Sequence, residues 1–158
     1  MHSQPLATFV TATSYGTWLP GDRRGYADNG QWMSPRPLLE AHVKGTQDIQ
    51  TVIFSGQDQD RILAALVAAA DEFGYRISDI VIEATHLHWI VDHEDSVATM
   101  VGRLKNRVRQ RLARGRIWTA GYSHRLLFDD EAVTAAREYM MKHAGARLVN
   151  GQPRGRPT

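Results

Sequence analysis

Two histidines separated by one apolar residue are the sharpest chemical signal in this sequence. His86 and His88 lie in residues 85–91, THLHWIV, whose β-branched and aromatic content predicts a strand. Alternate side chains of a strand share a face, so both imidazoles point the same way, with their Cα atoms roughly 6.5–7 Å apart. Two such imidazoles can converge on one metal ion. The alternative interpretation is a pair of polar residues on a solvent-facing strand.

A tyrosine and a third histidine follow about fifty residues later. Tyr139 and His143 are four residues apart in a segment with helical periodicity, which puts them on one face, one turn apart. His143 could supply a third metal ligand and leave Tyr139 beside the metal. Attack by the tyrosine on a phosphodiester would form a covalent phosphotyrosine, and the metal would polarise the phosphate as a Lewis acid. The alternative is an ordinary amphipathic helix.

The amino-acid composition excludes several kinds of site. The chain has 158 residues, suited to one domain, and no cysteine, which excludes a disulfide framework, a thiolate zinc site and a cysteine nucleophile. No apolar run approaches the roughly 20 residues that span a membrane. The start, MHSQPLATFV, lacks the features of a signal peptide. We therefore expect a cytoplasmic protein that does not contact a membrane.

Charge is concentrated although the net formal charge is only +2. Residues 103–116 contain seven basic side chains and no acidic one: Arg103, Lys105, Arg107, Arg109, Arg111, Arg114 and Arg116. Such a block indicates a polyanionic partner, and nucleic acid is the usual one. A second candidate surface is the long loop of residues 14–44, where Trp18 could stack on bases beside Arg23 and Arg24. Alternatively, the block is a solvated helix face, and the loop tryptophan pins the loop to the body.

The order of elements predicts an α/β (α+β) fold. We expect an antiparallel, ferredoxin-like sheet with helices packed on one face. Residues 1–149 would form one domain and residues 150–158 a flexible tail. The expected strands are 6–13, 49–54, 77–84 and 87–92, with a short one within 117–128. The expected helices are 58–73, one capped at Asp95 or Ser96 and running to 113, and one capped at Asp129 or Asp130 and running to 143 or 144.

These pieces together resemble a known family. Residues 7–22 (ATFVTATSYGTWLPGD), 80–91 (IVIEATHLHWIV), the arginine-rich helix and residues 116–149 are similar to the single-tyrosine HUH transposases, and most like their REP-associated tyrosine transposase branch. The similarity covers nearly the whole chain except the tail. It implies an HUH endonuclease architecture.

The resemblance implies a concrete reaction and site. Such proteins bind hairpins of single-stranded DNA, nick beside them through a 5′-phosphotyrosyl link and can rejoin strands. His86 and His88 match the metal ligands and Tyr139 the nucleophile, with Mg²⁺ or Mn²⁺ as the expected cofactor. His143 departs from the family, which has Gln or Asn there, and an imidazole favours manganese or zinc more than magnesium. Glu83, three residues before His86, is a candidate outer-shell or additional ligand.

Three functions stay open at this point. The first is an active nuclease and strand transferase, acting as a monomer or as a homodimer that exchanges its tyrosine helix. The second is a domesticated module that binds hairpins without cutting, which the departure at His143 favours. The third is a small metal-dependent phosphoester hydrolase in which Tyr139 is incidental.

Overall fold

A six-stranded antiparallel sheet organises the part of the chain that the computed structural model describes, residues 4–16, 26–28, 31–46 and 51–154. The strands are β1 (Ala7–Thr13), β2 (Tyr26–Asp28), β3 (Gln31–Met33), β4 (Arg76–Ile82), β5 (His86–Asp92), β6 (Ser123–Leu127), β7 (Ala146–Val149) and β8 (Gln152–Arg154). The helices are α1 (Pro37–Thr46), α2 (Gly56–Phe73), α3 (Val97–Leu112) and α4 (Asp130–Met140). The sheet order is β6-β1-β5-β4-β7-β8, and β2 pairs separately with β3. The predicted α+β class with an antiparallel sheet is confirmed.

Side chains of the central strand β5 point alternately to the two faces of the sheet. Leu87, Trp89 and Val91 point into the main core, which also contains the buried faces of α2 and α3. Ile90 points to the opposite face, as do His86 and His88, because side chains alternate along a strand. The prediction that both histidines share one face and turn away from the main core is therefore confirmed.

Helix α4 packs on the histidine face of the sheet. Its Ala136 and Met140 are buried against Val81, Ile90 and Leu127 from strands β4, β5 and β6. The expectation of helices on one face therefore holds for α2 and α3 and is wrong for α4. Because the sheet carries apolar residues on both faces, it needs a second cover, and α4 supplies it.

The helix ends follow local capping chemistry. Ser55 and Asp58 form a capping box, so α2 begins two residues before the predicted start. Gly74, at φ 75°, ends that helix in the left-handed conformation. Ser96 and Asp129 accept hydrogen bonds from backbone N–H groups of the first turns of α3 and α4, and so decide between the two predicted caps in each case.

Several segments differ from the sequence-based expectation. Within the predicted loop 14–44, the described residues include β2, β3 and the start of α1. Residues 51–54 are described and form no strand, while 49 and 50 lie outside the described residues. Strand β7 was not predicted, and β8 pairs with it inside the segment expected to be a tail. No helix among the described residues is long and apolar enough to cross a membrane.

Candidate metal and tyrosine site

Three histidines converge on the α4 face of the sheet. The ring centroids of His86 and His88 are 5.2 Å apart. His143, which follows α4, places its ring 5.2 Å from His86 and 4.8 Å from His88. One ligand nitrogen from each ring lies within 4.8 Å of the other two. The structure therefore brings all three predicted ligands together from two distant parts of the chain.

His88 is held as a neutral imidazole with one nitrogen available. Its Nδ1 lies 2.8 Å from Thr11 Oγ1, across the β1–β5 pair, and Phe9 stacks on the ring at 5.4 Å. Its Nε2 is buried and has no hydrogen-bond partner among the described residues. Burial, and then the neighbouring His86 and His143, together lower the pKa of His88 to about 3. In the tautomer whose Nδ1–H donates to Thr11 Oγ1, the lone pair is on Nε2.

His86 and His143 also have surroundings that bear on metal binding. Burial, and then His143, lower the pKa of His86, while Glu83 opposes that shift. His143 Nδ1 lies 3.2 Å from the carbonyl oxygen of Met140. A carbonyl oxygen only accepts hydrogen bonds, so this contact places the His143 proton on Nδ1 and the lone pair on Nε2. Metal-binding histidines commonly have such a partner on the second nitrogen.

The turn that carries His143 is anchored from the sheet. Glu83 Oε1 accepts hydrogen bonds from the backbone N–H groups of Ala144 at 2.6 Å and Gly145 at 3.3 Å. Arg147 donates to the carbonyl oxygen of His143. Glu83, which the sequence suggested as an outer ligand, thus has one carboxylate oxygen occupied by backbone N–H groups. Its place beside the His143 turn was not readable from the sequence.

Close packing makes glycine necessary in this turn. A Cβ atom added to Gly145 would overlap the backbone carbonyl of Ile82, at the end of β4. A side chain there would push the turn away from the sheet, and His143 would move with it. The position of the third ligand therefore depends on a backbone-to-backbone contact.

Tyr139 lies beside the three histidines and faces solvent. Its ring is 5.5 Å from His88 and 5.3 Å from His143, and 48% of its surface is exposed. Helix α4 ends at Met140, earlier than predicted, yet the turn after it keeps Tyr139 and His143 together. The tyrosine also contacts Phe9 edge-on at 6.2 Å. A substrate group in contact with this hydroxyl would lie next to the histidine cluster.

An ion pair to a buried carboxylate holds α4 on the sheet. Arg137 Nε and Nη2 donate to the two carboxylate oxygens of Asp79 at 2.8 and 3.1 Å. Asp79 is fully buried and also accepts from Ser78 Oγ and the N–H of Asn150. Two parallel hydrogen bonds fix orientation as well as distance. The helix that bears Tyr139 is therefore held on the sheet of its own chain.

Helix α3, which carries most of the basic block, packs on the sheet face opposite the histidines. Because α3 packs into the main core, its arginines are on the sheet face opposite the histidines. Two of them, and Arg114 just after the helix, pair with acids: Arg103 with Asp95, Arg107 with Glu72 and Arg114 with Asp58, at 2.7–2.9 Å. Three of the seven basic side chains of the predicted block are thus paired with acids from elsewhere in the chain.

The other residues predicted to contact DNA have different surroundings, and three of them lie outside the described residues. Lys105 donates to the carbonyl oxygens of Thr119 and Gly121, and burial lowers its pKa to about 8. Arg109 bonds to Asn106, and Arg111 is exposed with no ion pair in the described part of the chain. Trp18, Arg23 and Arg24 lie outside the described residues.

Sequence reasoning missed an arginine on the histidine face. Arg125 in β6 is exposed and lies directly across from Phe9 in the β1–β6 register. The short strand expected within 117–128 is observed as β6. Nothing in the sequence indicated which face Arg125 takes or which strand it pairs with.

Comparisons with known proteins agree with this architecture. The chain matches no protein-family model and no curated protein. Among solved structures, a REP-associated tyrosine transposase bound to a REP hairpin is similar at 11% identity and a TM-score of 0.50, over 89% of this chain and 67% of that one. A Deinococcus radiodurans protein provisionally described as a transposase is similar at 10% identity and a TM-score of 0.50, over 89% and 92% of the two chains. At this identity the likeness concerns the fold, and the chain has a transposase-like fold.

Proposed function

We propose that this protein cleaves and rejoins single-stranded DNA through a covalent bond to Tyr139, with a divalent metal ion bound by His86, His88 and His143. The observation that carries the proposal is the half-exposed Tyr139 ring, 5.5 and 5.3 Å from two members of a histidine cluster whose ligand nitrogens lie within 4.8 Å of one another.

The donor set fits a metal ion. A buried polar atom without a partner is unfavourable, and His88 Nε2 is such an atom. A bound cation would satisfy it, and the low pKa of His88 keeps the lone pair free of a proton at neutral pH. Three imidazoles suit Mn²⁺ or Zn²⁺ better than Mg²⁺, which prefers oxygen ligands. We therefore propose Mn²⁺ as the preferred cofactor among the two expected ions.

The proposed chemistry is a reversible phosphoryl transfer. The Tyr139 oxygen attacks a phosphodiester phosphorus, an O–P bond to tyrosine forms and the P–O3′ bond breaks. The phenolic proton passes to solvent, and the leaving 3′ oxygen takes a proton from solvent, so a 3′-hydroxyl and a 5′-phosphotyrosine result. When bound, the metal supplies a Lewis acid that polarises the phosphate. Attack by a 3′-hydroxyl on the phosphotyrosine runs the same step backwards and rejoins a strand.

Folded single strands are the proposed substrate. The REP-associated transposase of similar fold was solved bound to a REP hairpin, which motivates hairpins as the first substrates to test here. Arg109 and Arg111, which have no acidic partner in the described part of the chain, would bind phosphates on the α3 layer. Trp18, Arg23 and Arg24 stay proposed contacts.

The direct test is an adduct assay. Full-length protein is mixed with a panel of labelled single-stranded hairpin oligonucleotides and Mn²⁺, and protein–DNA adducts that survive denaturation are counted. Wild type should form adducts and Tyr139→Phe should form none. Tyr122→Phe is the matched control, because Tyr122 is also partly exposed and lies 5.7 Å from a histidine, His124, on the edge strand. No adduct with any hairpin, or one that persists in Tyr139→Phe, would contradict the proposal.

A hairpin-binding role without cleavage is the second candidate. The observation that favours it is the third imidazole, which is poorly suited to Mg²⁺. This role predicts tight binding of hairpins that is insensitive to Tyr139→Phe and to chelation of metal. Binding of that kind with no adduct in Mn²⁺ or Mg²⁺ would favour it over the nuclease.

A further inference from the structure

The exposed side chain of Arg125 shares a sheet face with the histidine site. In β6, Leu127 is buried in the apolar cluster beneath α4, and residues two apart in a strand point the same way. Arg125 therefore points to the α4 face. The β1–β6 register pairs it with Phe9, and the next pair toward the site is Thr11 with Ser123.

Phe9 connects this arginine to the reactive groups. The Phe9 ring stacks on His88 at 5.4 Å and meets the Tyr139 ring at 6.2 Å. Directly opposed residues in an antiparallel pair have Cβ atoms about 4.5–5.5 Å apart. Arg125 and Tyr139 thus flank the same phenylalanine, and β6 lies only two strand spacings, about 10 Å, from the strand that carries His88. The long arginine side chain can extend over Phe9 toward a group attacked by Tyr139.

The other arginines on this face are already occupied. Arg137 is bound to Asp79, and Arg147 donates to the carbonyl oxygen of His143. Arg125 has no ion pair or side-chain hydrogen bond within the described ranges 4–16, 26–28, 31–46 and 51–154. Within the described ranges, Arg125 thus places a guanidinium without an acidic partner at the β6 edge of the histidine face.

We propose that Arg125 binds a phosphate of the DNA at the Tyr139 site and neutralises the charge that develops on its non-bridging oxygens during attack. This inference rests on the proposed function, and it identifies a further catalytic residue for it. A guanidinium presents a planar pair of N–H donors that matches two phosphate oxygens, which an ammonium group cannot do. Its charge is also independent of pH in the physiological range.

The first test measures the chemical step. Adduct formation is followed in a single turnover at saturating hairpin DNA with Mn²⁺, for wild type, Arg125→Gln, Arg125→Lys and the control Arg61→Gln. Arg61 is an exposed arginine on α2, in the opposite layer. Loss of one pre-positioned donor to a developing oxyanion costs about 10²-fold in rate. We expect a loss of that order for Arg125→Gln, a smaller loss for Arg125→Lys and no loss for Arg61→Gln.

The second test measures the phosphate contact without cleavage. Hairpin affinity is measured against salt concentration for Tyr139→Phe alone and combined with each arginine variant. The slope of log K against log salt is about 0.7 for each phosphate contacted on a single strand. Arg125→Gln should reduce the slope by about that amount, Arg125→Lys should largely restore it, and Arg61→Gln should not change it.

The two tests separate the two claims. Failure of wild type to form any adduct, with the Arg125→Gln slope reduced, would refute the proposed cleavage and keep the phosphate contact. Adduct formation with Arg125→Gln matching Arg61→Gln in rate and slope would refute the role of Arg125 and keep the cleavage. A protein that neither binds nor cuts hairpins would overturn both.

Discussion

Acid should destabilise the metal-free protein through His88. In the fold, burial and then the neighbouring His86 and His143 together lower the pKa of this imidazole to about 3, whereas the unfolded chain has a histidine pKa near 6.5. Between these values the unfolded state binds a proton that the folded state does not. The free energy of unfolding therefore rises with pH across this window, and the contribution of His88 is lost as pH falls from about 6.5 toward 3.

The magnitude follows from the linkage relation. Within the window, one proton difference changes the free energy of unfolding by about 1.4 kcal/mol per pH unit. From pH 6 to pH 4, His88 should remove about 2–3 kcal/mol, since the upper end of that interval is only partly inside the window. For a domain of this size, such a loss is a large share of the total stability.

Denaturant unfolding with chelator present measures this effect. Wild type, His88→Gln and His124→Gln are unfolded at pH 6, 5 and 4. His88→Gln should be less sensitive to pH than wild type by about 2–3 kcal/mol over that interval, because the titrating group is gone. His124 is exposed on the edge strand, so its variant should follow wild type. Parallel pH profiles for wild type and His88→Gln would refute the interpretation of His88 as a buried neutral ligand.

Three further predictions concern the elements that hold the site together. Gly145→Ala should abolish Mn²⁺ binding measured by titration calorimetry, because its Cβ would displace the His143 turn; Gly102→Ala, in a helix with open space, should retain binding. Asp79→Asn should lower the free energy of unfolding by about 3 kcal/mol in urea, since Arg137 then loses its carboxylate partner; an unchanged value would contradict a stabilising role for this ion pair. His143→Gln should raise adduct formation in Mg²⁺ relative to Mn²⁺, because an oxygen donor replaces an imidazole; an unchanged metal preference would show that His143 is not a ligand.

Local periodicity was enough to predict the histidine pair. The alternation in residues 85–91 placed His86 and His88 on one face because strand geometry depends only on neighbouring residues. Capping chemistry likewise located the starts of α3 and α4 to within one residue. The pairing of Tyr139 with His143 survived even though α4 ends early, since the following turn continues the helical path for a few residues.

Features made by distant parts of the chain were not predictable. The acids that pair with three residues of the basic block come from α2 and from the β5–α3 connection, so the sequence could not show these pairings. The need for Gly145 comes from contact with Ile82 and leaves no local signal. The placement of Arg125 opposite Phe9 depends on the β1–β6 register, which joins distant segments of the chain. Strand β7 has four residues, too few for a period to be recognised.

The central claim is that Tyr139 becomes covalently attached to DNA, and peptide mass spectrometry tests it most directly. Wild-type protein is incubated with Mn²⁺ and hairpin DNA, the DNA is trimmed with nuclease, and the protein is digested. The account predicts a nucleotide-phosphate mass on the peptide that contains Tyr139, attached at that residue and absent when chelator is added. A modification on Tyr122 or any other residue, or an unmodified Tyr139 peptide under conditions that cleave the DNA, would contradict it.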